Sequence, residues 1–86
     1  MRIRFHRNFR KNYARLPGKL RTQFKKRLKL FLKDPFDPLL NNQALHGQCR
    51  QFRSINVTGD FRALFRMLGD DTAEFVLIDR HGNLYV

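Results

Sequence analysis

The chain has no tryptophan, one cysteine and, across its first 33 residues, no acidic side chain. The lone Cys49 excludes an intramolecular disulfide and agrees with a reducing compartment. No apolar run approaches the roughly 20 residues that a membrane-crossing helix needs. No apolar stretch follows the N-terminal charges, as a secretory signal would require. A cytoplasmic protein with no membrane association is therefore expected. Gly-rich phosphate loops are absent. The three histidines, His6, His46 and His81, have no zinc-ligand spacing with each other or with the cysteine. No Ser or Cys nucleophile has a visible triad. Cys49 beside Arg50 is either a somewhat acidified thiol or an ordinary loop cysteine. Neither a metal nor a cofactor is expected. With 86 residues there is room for one small domain, residues 1–86, and no second core.

What the chain has in excess is positive charge, and that charge is unevenly placed. The formal net charge is +11, and thirteen Lys and Arg lie between Met1 and Lys33. From Asp34 to Val86 five basic residues face seven acidic ones. Such a block suits a polyanion, with nucleic acid the first candidate and an acidic protein partner or an anionic membrane surface as alternatives. The composition is nevertheless that of a folded domain: 42% apolar, with nine Phe and two Tyr, whereas a disordered basic arm carries few aromatics.

Arg2 to His6 alternates basic and apolar residues and reads as a strand. Phe9, Tyr13 and Leu16 recur at helical spacing. Pro17-Gly18 interrupts them and starts a second helix, since proline suits a first turn. Leu20, Phe24, Leu28, Phe31 and Leu32 form its apolar stripe. Lys25, Lys26 and Lys29 lie among the basic residues that cover the rest. Asp34-Pro35 ends it. Residues 36–44 read as loop, followed by Leu45-His46-Gly47. Gln51–Val57, Phe61–Leu68 and Ala73–Ile78 read as strands, with turns at Thr58-Gly59-Asp60 and Gly69-Asp70-Asp71. Asp79 to Val86 is a short tail. The order β-α-α-β-β-β indicates an α+β domain, an antiparallel sheet packed against a two-helix hairpin.

The candidates for chemistry lie in the second half. Arg53, Arg62 and Arg66 sit on strands, where a guanidinium needs little further ordering to hold a phosphate. For Arg62 and Arg66 the alternative is an ion pair with Asp60, Asp79 or Glu74. His81 ends the last strand and is suited to acid–base work, or is a plain surface histidine. Tyr85 could stack on a base, supply a hydroxyl or close the core edge. His46 lies in the Leu-His-Gly loop, where turn packing is a sufficient role. His6 belongs to the edge of the first strand.

In order and spacing, the stretches FRKNYARLPGKLRTQFKKRLKLFLKDPFDP, LHG, QFRSINVTGDFRALFRM and FVLIDRHGNLY resemble the RelE/ParE superfamily of type II toxin–antitoxin toxins, in its RelE/YafQ-like branch. The resemblance covers nearly the whole chain. It implies a curved sheet over two N-terminal helices. It also implies a ribosome-dependent endoribonuclease that cuts mRNA by metal-free attack of the ribose 2′-OH on the adjacent phosphate. Carried over, Arg53 matches a basic position of the active-site strand, and Arg62 the arginine that contacts the scissile phosphate. His81 matches the His of a THDELY-like ending and Tyr85 its terminal aromatic. His46 falls where members often place a basic residue. Arg66 is a secondary phosphate contact, and Lys25, Lys26 and Lys29 belong to a footprint on ribosomal RNA.

Departures are visible. Position 55, lysine in some relatives, is Ile55, and the second active-site His of the YafQ-like branch is missing. The partners implied are a cognate antitoxin, the ribosome and mRNA, with DNA reached only through the antitoxin complex. The alternatives are a ParE-like gyrase inhibitor and a catalytically weak RNA- or protein-binding domain of the same fold.

Overall fold

The computed structural model describes residues 1–47 and 51–84. Cys49 and Tyr85 lie outside them. The elements run β1 (Arg2–Phe5), α1 (Arg7–Ala14), α2 (Gly18–Lys33), a 3₁₀ turn (Pro38–Leu40), β2 (Gln43–Ala44), β3 (Phe52–Asn56), β4 (Phe61–Leu68), β5 (Thr72–Arg80) and α3 (His81–Leu84). The sheet order is β1-β5-β4-β3-β2. The expected antiparallel meander is present as β3-β4-β5. The first strand joins it parallel to β5, from Arg2 opposite Thr72 to Phe5 opposite Phe75. Parallel pairing needs a long crossover, and here both helices belong to that connection.

Two segments without expected structure are short elements. Asp37 Oδ1 accepts from the Leu39 amide at 2.9 Å, and Pro38 follows at the first turn; together they start the 3₁₀ turn. That turn delivers Leu40 to the core at 0% exposure. The supposed tail instead extends β5 to Arg80 and then turns into α3.

His6 caps α1. Its Nδ1 accepts from the Asn8 amide at 3.0 Å, a local role that its position at a strand end did not reveal. The helical hairpin is locked across Pro17-Gly18. Tyr13 Oη donates to the Arg21 carbonyl at 3.1 Å, and Arg21 Nη1 donates to the Leu16 carbonyl. Phe24 and Phe31, seven residues apart on α2, meet the sheet edge-on. Phe24 lies 5.4 Å from Phe75 and Phe31 5.0 Å from Phe65, ring centre to ring centre. Such pairs add about 0.5–1.5 kcal/mol beyond the area they bury.

A bulge fixes which side of β5 faces the helices. Leu64 stands opposite Leu77, but Phe65 stands opposite Phe75, so Val76 has no partner. The extra residue reverses the alternation. Ala73 and Phe75 point into the core and the next core position is Ile78, not Leu77. Beyond the end of β1, Asn12 Oδ1 of α1 accepts from the Ile78 amide at 2.6 Å. Asn12→Ala should leave that buried donor unpaired and lower unfolding free energy by about 1–3 kcal/mol. Asn12→Asp should recover most of the loss in the same denaturant titration. Equal stability of the alanine variant and the wild type would show that the contact contributes nothing.

Candidate functional site

The strand register divides the sheet into two faces. Ile55 pairs with Ala63, and Ala63 with Ile78, on the side packed against the helices. Asn56 pairs with Arg62, and Arg62 with Asp79, so these three project from the other side. Arg53 pairs with Phe65 and therefore belongs to the helix side. Arg53 and Arg62, both expected in the active site, stand on opposite faces of the sheet.

Arg62 is only 3% exposed, which is unusual for a guanidinium. Its Nε donates to Ser54 Oγ at 2.8 Å and its Nη1 to Asn56 Oδ1. Its Nη2 donates to the carbonyls of Asn41 at 2.6 Å and Ser54 at 2.9 Å. Asn41 is the chain's one non-glycine residue with positive φ among those described, at 43°, the left-handed conformation that ends the 3₁₀ turn. None of these partners carries a negative charge. Although Asp79 is its register partner on β5, Arg62 forms no ion pair with a carboxylate among the described residues, so the expected alternative is not what the structure holds. These neutral oxygens do not cancel the charge of the fixed cation, which acts on its surroundings through its field because the guanidinium itself is almost wholly covered.

Arg66 differs. Its Nε and Nη2 each lie 2.9 Å from Oε1 of Glu74, directly opposite on β5. Here the ion-pair alternative is realised, and the charge offered to RNA is neutralised.

His81 stands at the same end of the sheet as Arg62. Its amide donates to the Asp60 carbonyl at 2.7 Å, which seats the start of α3 on the β3–β4 turn. Thr58 Oγ1 shapes that turn by accepting from the amides of Asp60 at 3.2 Å and Phe61 at 3.1 Å. Asp79 Oδ1 accepts from the Arg80 amide at 2.7 Å and from Asn83 Nδ2 at 2.9 Å, steadying the strand-to-helix corner. Gly59, Asp60, Arg80, His81, Gly82 and Asn83 enclose a shallow polar hollow of about 370 Å³. His81 is exposed at its rim.

The remaining expected residues are dispersed. His46 is exposed in its loop, between buried Leu45 and Gly47 with φ of 68°. Lys25, Lys26 and Lys29 are exposed on α2, on the helix layer and away from the face that carries Arg62. Arg53 is tethered to Asn42, Nε to Oδ1 at 2.7 Å. Sequence reasoning missed the neutral residues Asn41, Asn42, Ser54 and Asn56 that hold the two arginines. Their signal was the polar alternation Ser54, Asn56 against Ile55, Val57 and the Asn41-Asn42 doublet before the strand.

A second hollow, of about 440 Å³, is apolar and lies on the helix side. Phe5, Phe9, Tyr13, Phe24 and Leu28 line it, and Arg10 and Lys25 stand at its margin. Among the described residues, no helix is long and apolar enough to cross a membrane.

No protein-family model matches the chain, and no curated protein sequence does. Solved structures do match. The YoeB/ParE toxin from Agrobacterium tumefaciens is 18% identical over 94% of this chain and 99% of its own, with a TM-score of 0.78. YafQ from E. coli is 15% identical over the whole of both chains, with a TM-score of 0.79. The toxin–antitoxin complex RelBE2 from Mycobacterium tuberculosis is 21% identical over 93% of this chain and 90% of the matched one, with a TM-score of 0.65. At such identities the likeness is one of architecture: the chain has the fold of the RelE/ParE superfamily of toxins, YafQ-like members included.

Proposed function

We propose that the chain is the toxin of a type II toxin–antitoxin pair and acts as a ribosome-dependent mRNA endoribonuclease. The observation that carries this reading is the pinned, uncompensated Arg62 guanidinium at the same end of the sheet as exposed His81. In the reaction the ribose 2′-oxygen attacks the adjacent phosphorus and the bond to the 5′-oxygen breaks. The products are a 2′,3′-cyclic phosphate and a 5′-hydroxyl. One proton leaves the 2′-OH and one reaches the departing 5′-oxygen. His81 is the group for one of these transfers. Arg62 stabilises the charge that builds on the phosphate oxygens through the field of its fixed charge, since its guanidinium is covered and its nitrogens already donate to Ser54, Asn56 and Asn41. Arg66 has no part in this, since Glu74 neutralises it.

Lys25, Lys26 and Lys29 supply sequence-independent attraction to ribosomal RNA. His46 offers a further RNA contact from its loop. The expected antitoxin partner is supported by the likeness to a toxin–antitoxin complex. The apolar hollow beside α1 and α2, with Arg10 and Lys25 at its margin, suits an amphipathic segment with acidic flanks.

The test is induction of the gene in a bacterial host, followed by mapping of mRNA 5′ ends. Translation-dependent cuts that open on 5′-hydroxyl ends are expected. Growth arrest without cuts, together with inhibition of purified gyrase, would replace this reading with the gyrase-inhibitor alternative.

A further inference from the structure

Phe36 is 66% exposed, yet it is held in a constructed frame. Asp34 Oδ1 accepts from the Phe36 amide at 3.1 Å. Asn42 Nδ2 donates to the Pro35 carbonyl at 2.9 Å, while Asn42 Oδ1 accepts from Arg53 Nε at 2.7 Å. One side chain thus fixes both the loop that carries the ring and the cation that lies over it. The Arg53 guanidinium carbon is 5.4 Å from the ring centre. Arg53 Nη2 makes one further, long bond to the Asn42 carbonyl at 3.4 Å. The Nη1 hydrogens have no partner among the described residues. One face of the ring is backed by a guanidinium, and no described ring covers the other.

A phenylalanine that is 66% exposed gains little from the hydrophobic effect, and it lies outside the core cluster, so core packing does not account for the arrangement. A flat aromatic surface with an adjacent forked cation matches a nucleotide: the base stacks on the ring and the phosphate meets the guanidinium. The nearby carboxylates of Asp34 and Asp37 are held on the amides of Phe36 and Leu39, which fixes their direction but keeps their charge, so the phosphate is placed on the Arg53 side. We infer that Phe36 and Arg53 form a binding platform for one unpaired RNA nucleotide, separate from the Arg62 and His81 site and on the opposite side of the sheet from Arg62. The inference rests on the RNA-directed reading above but not on cleavage.

The chain has no tryptophan, so Phe36→Trp installs a single reporter. Its fluorescence should be quenched when a short single-stranded oligoribonucleotide, 2′-O-methylated so that it cannot be cut, is added. Phe36→Leu keeps the apolar bulk but not the ring, and should weaken binding of that oligonucleotide by about tenfold, one stacked base. Binding of an abasic oligonucleotide of equal length should be unchanged by it. Leu39→Ser, at a neighbouring side chain that is 62% exposed, should have no effect on either probe. Wild-type affinity in Phe36→Leu, or an equal loss in Leu39→Ser, would overturn the platform and make the patch a protein contact. Because no ribosome and no bond breaking enters this assay, a platform that binds while 5′-end mapping finds no cuts would remove only the enzymatic reading. Cuts with no Phe36 dependence of binding would remove only the platform.

Discussion

Replacing His81 by alanine is expected to slow cleavage of a ribosome-bound message by about 10²–10⁴-fold, the range for loss of a proton-transfer group. In free energy that is about 2.7–5.5 kcal/mol of transition-state stabilisation. The backbone anchor of α3 should persist. His81 is exposed, and its anchor to the β3–β4 turn runs through its own amide to the Asp60 carbonyl, which alanine keeps. The check is single-turnover cleavage at saturating ribosomes, with melting of the same preparations. A rate within about threefold of wild type would place the proton transfer elsewhere, because even the weakest general acid–base contribution is larger. Loss of ribosome binding in parallel with loss of rate would instead make His81 a binding residue.

Much of this architecture could be read from the residues, and what could not has physical causes. The Phe24 to Phe31 spacing, Pro17-Gly18 and Asp34-Pro35 mark the helices because periodicity and proline act locally. The span Phe61–Leu68 is reproduced without change, bounded by turn residues at both ends. The parallel placement of β1 depends on pairing between residues about 70 apart, and nothing local encodes it. The bulge at Val76 is equally silent in a run of apolar residues, where alternation gives no contrast. At the site, arginines on strands could be named but not sorted. Whether Arg62 meets an acid or a neutral frame, and whether Arg53 shares its face, is decided by register. A shift of one residue exchanges every side chain between faces. Arg66 and Glu74 illustrate the point: opposite in space, eight residues apart in the chain, and paired only because the β4–β5 hairpin has this register.

Arg62 should show two losses at once. Arg62→Met fills much of the same volume but supplies no donor. Ser54 is fully buried, and its hydroxyl and carbonyl would each lose a charged hydrogen bond. Asn41 is exposed and Asn56 half-buried, so both can turn to water. Losing hydrogen bonds from a charged donor costs about 1.5–3 kcal/mol each, and release of the guanidinium from burial returns part of this, which leaves a net loss of about 2–4 kcal/mol. A domain of this size melts about 4–8 °C lower for each kcal/mol, so a fall of about 8–32 °C is expected. Arg62→Lys separates charge from geometry. An ammonium keeps the positive charge but cannot span Ser54, Asn56 and Asn41 with one planar fork. It should restore part of the melting temperature and still lose about 10²-fold in cleavage, as when a preorganised donor to developing charge is removed. Full cleavage by Arg62→Lys at a temperature where it is folded would show that charge alone suffices. Unchanged melting of Arg62→Met would show that the frame around Arg62 contributes nothing to the fold, and the preorganisation on which its assigned role depends would go with it.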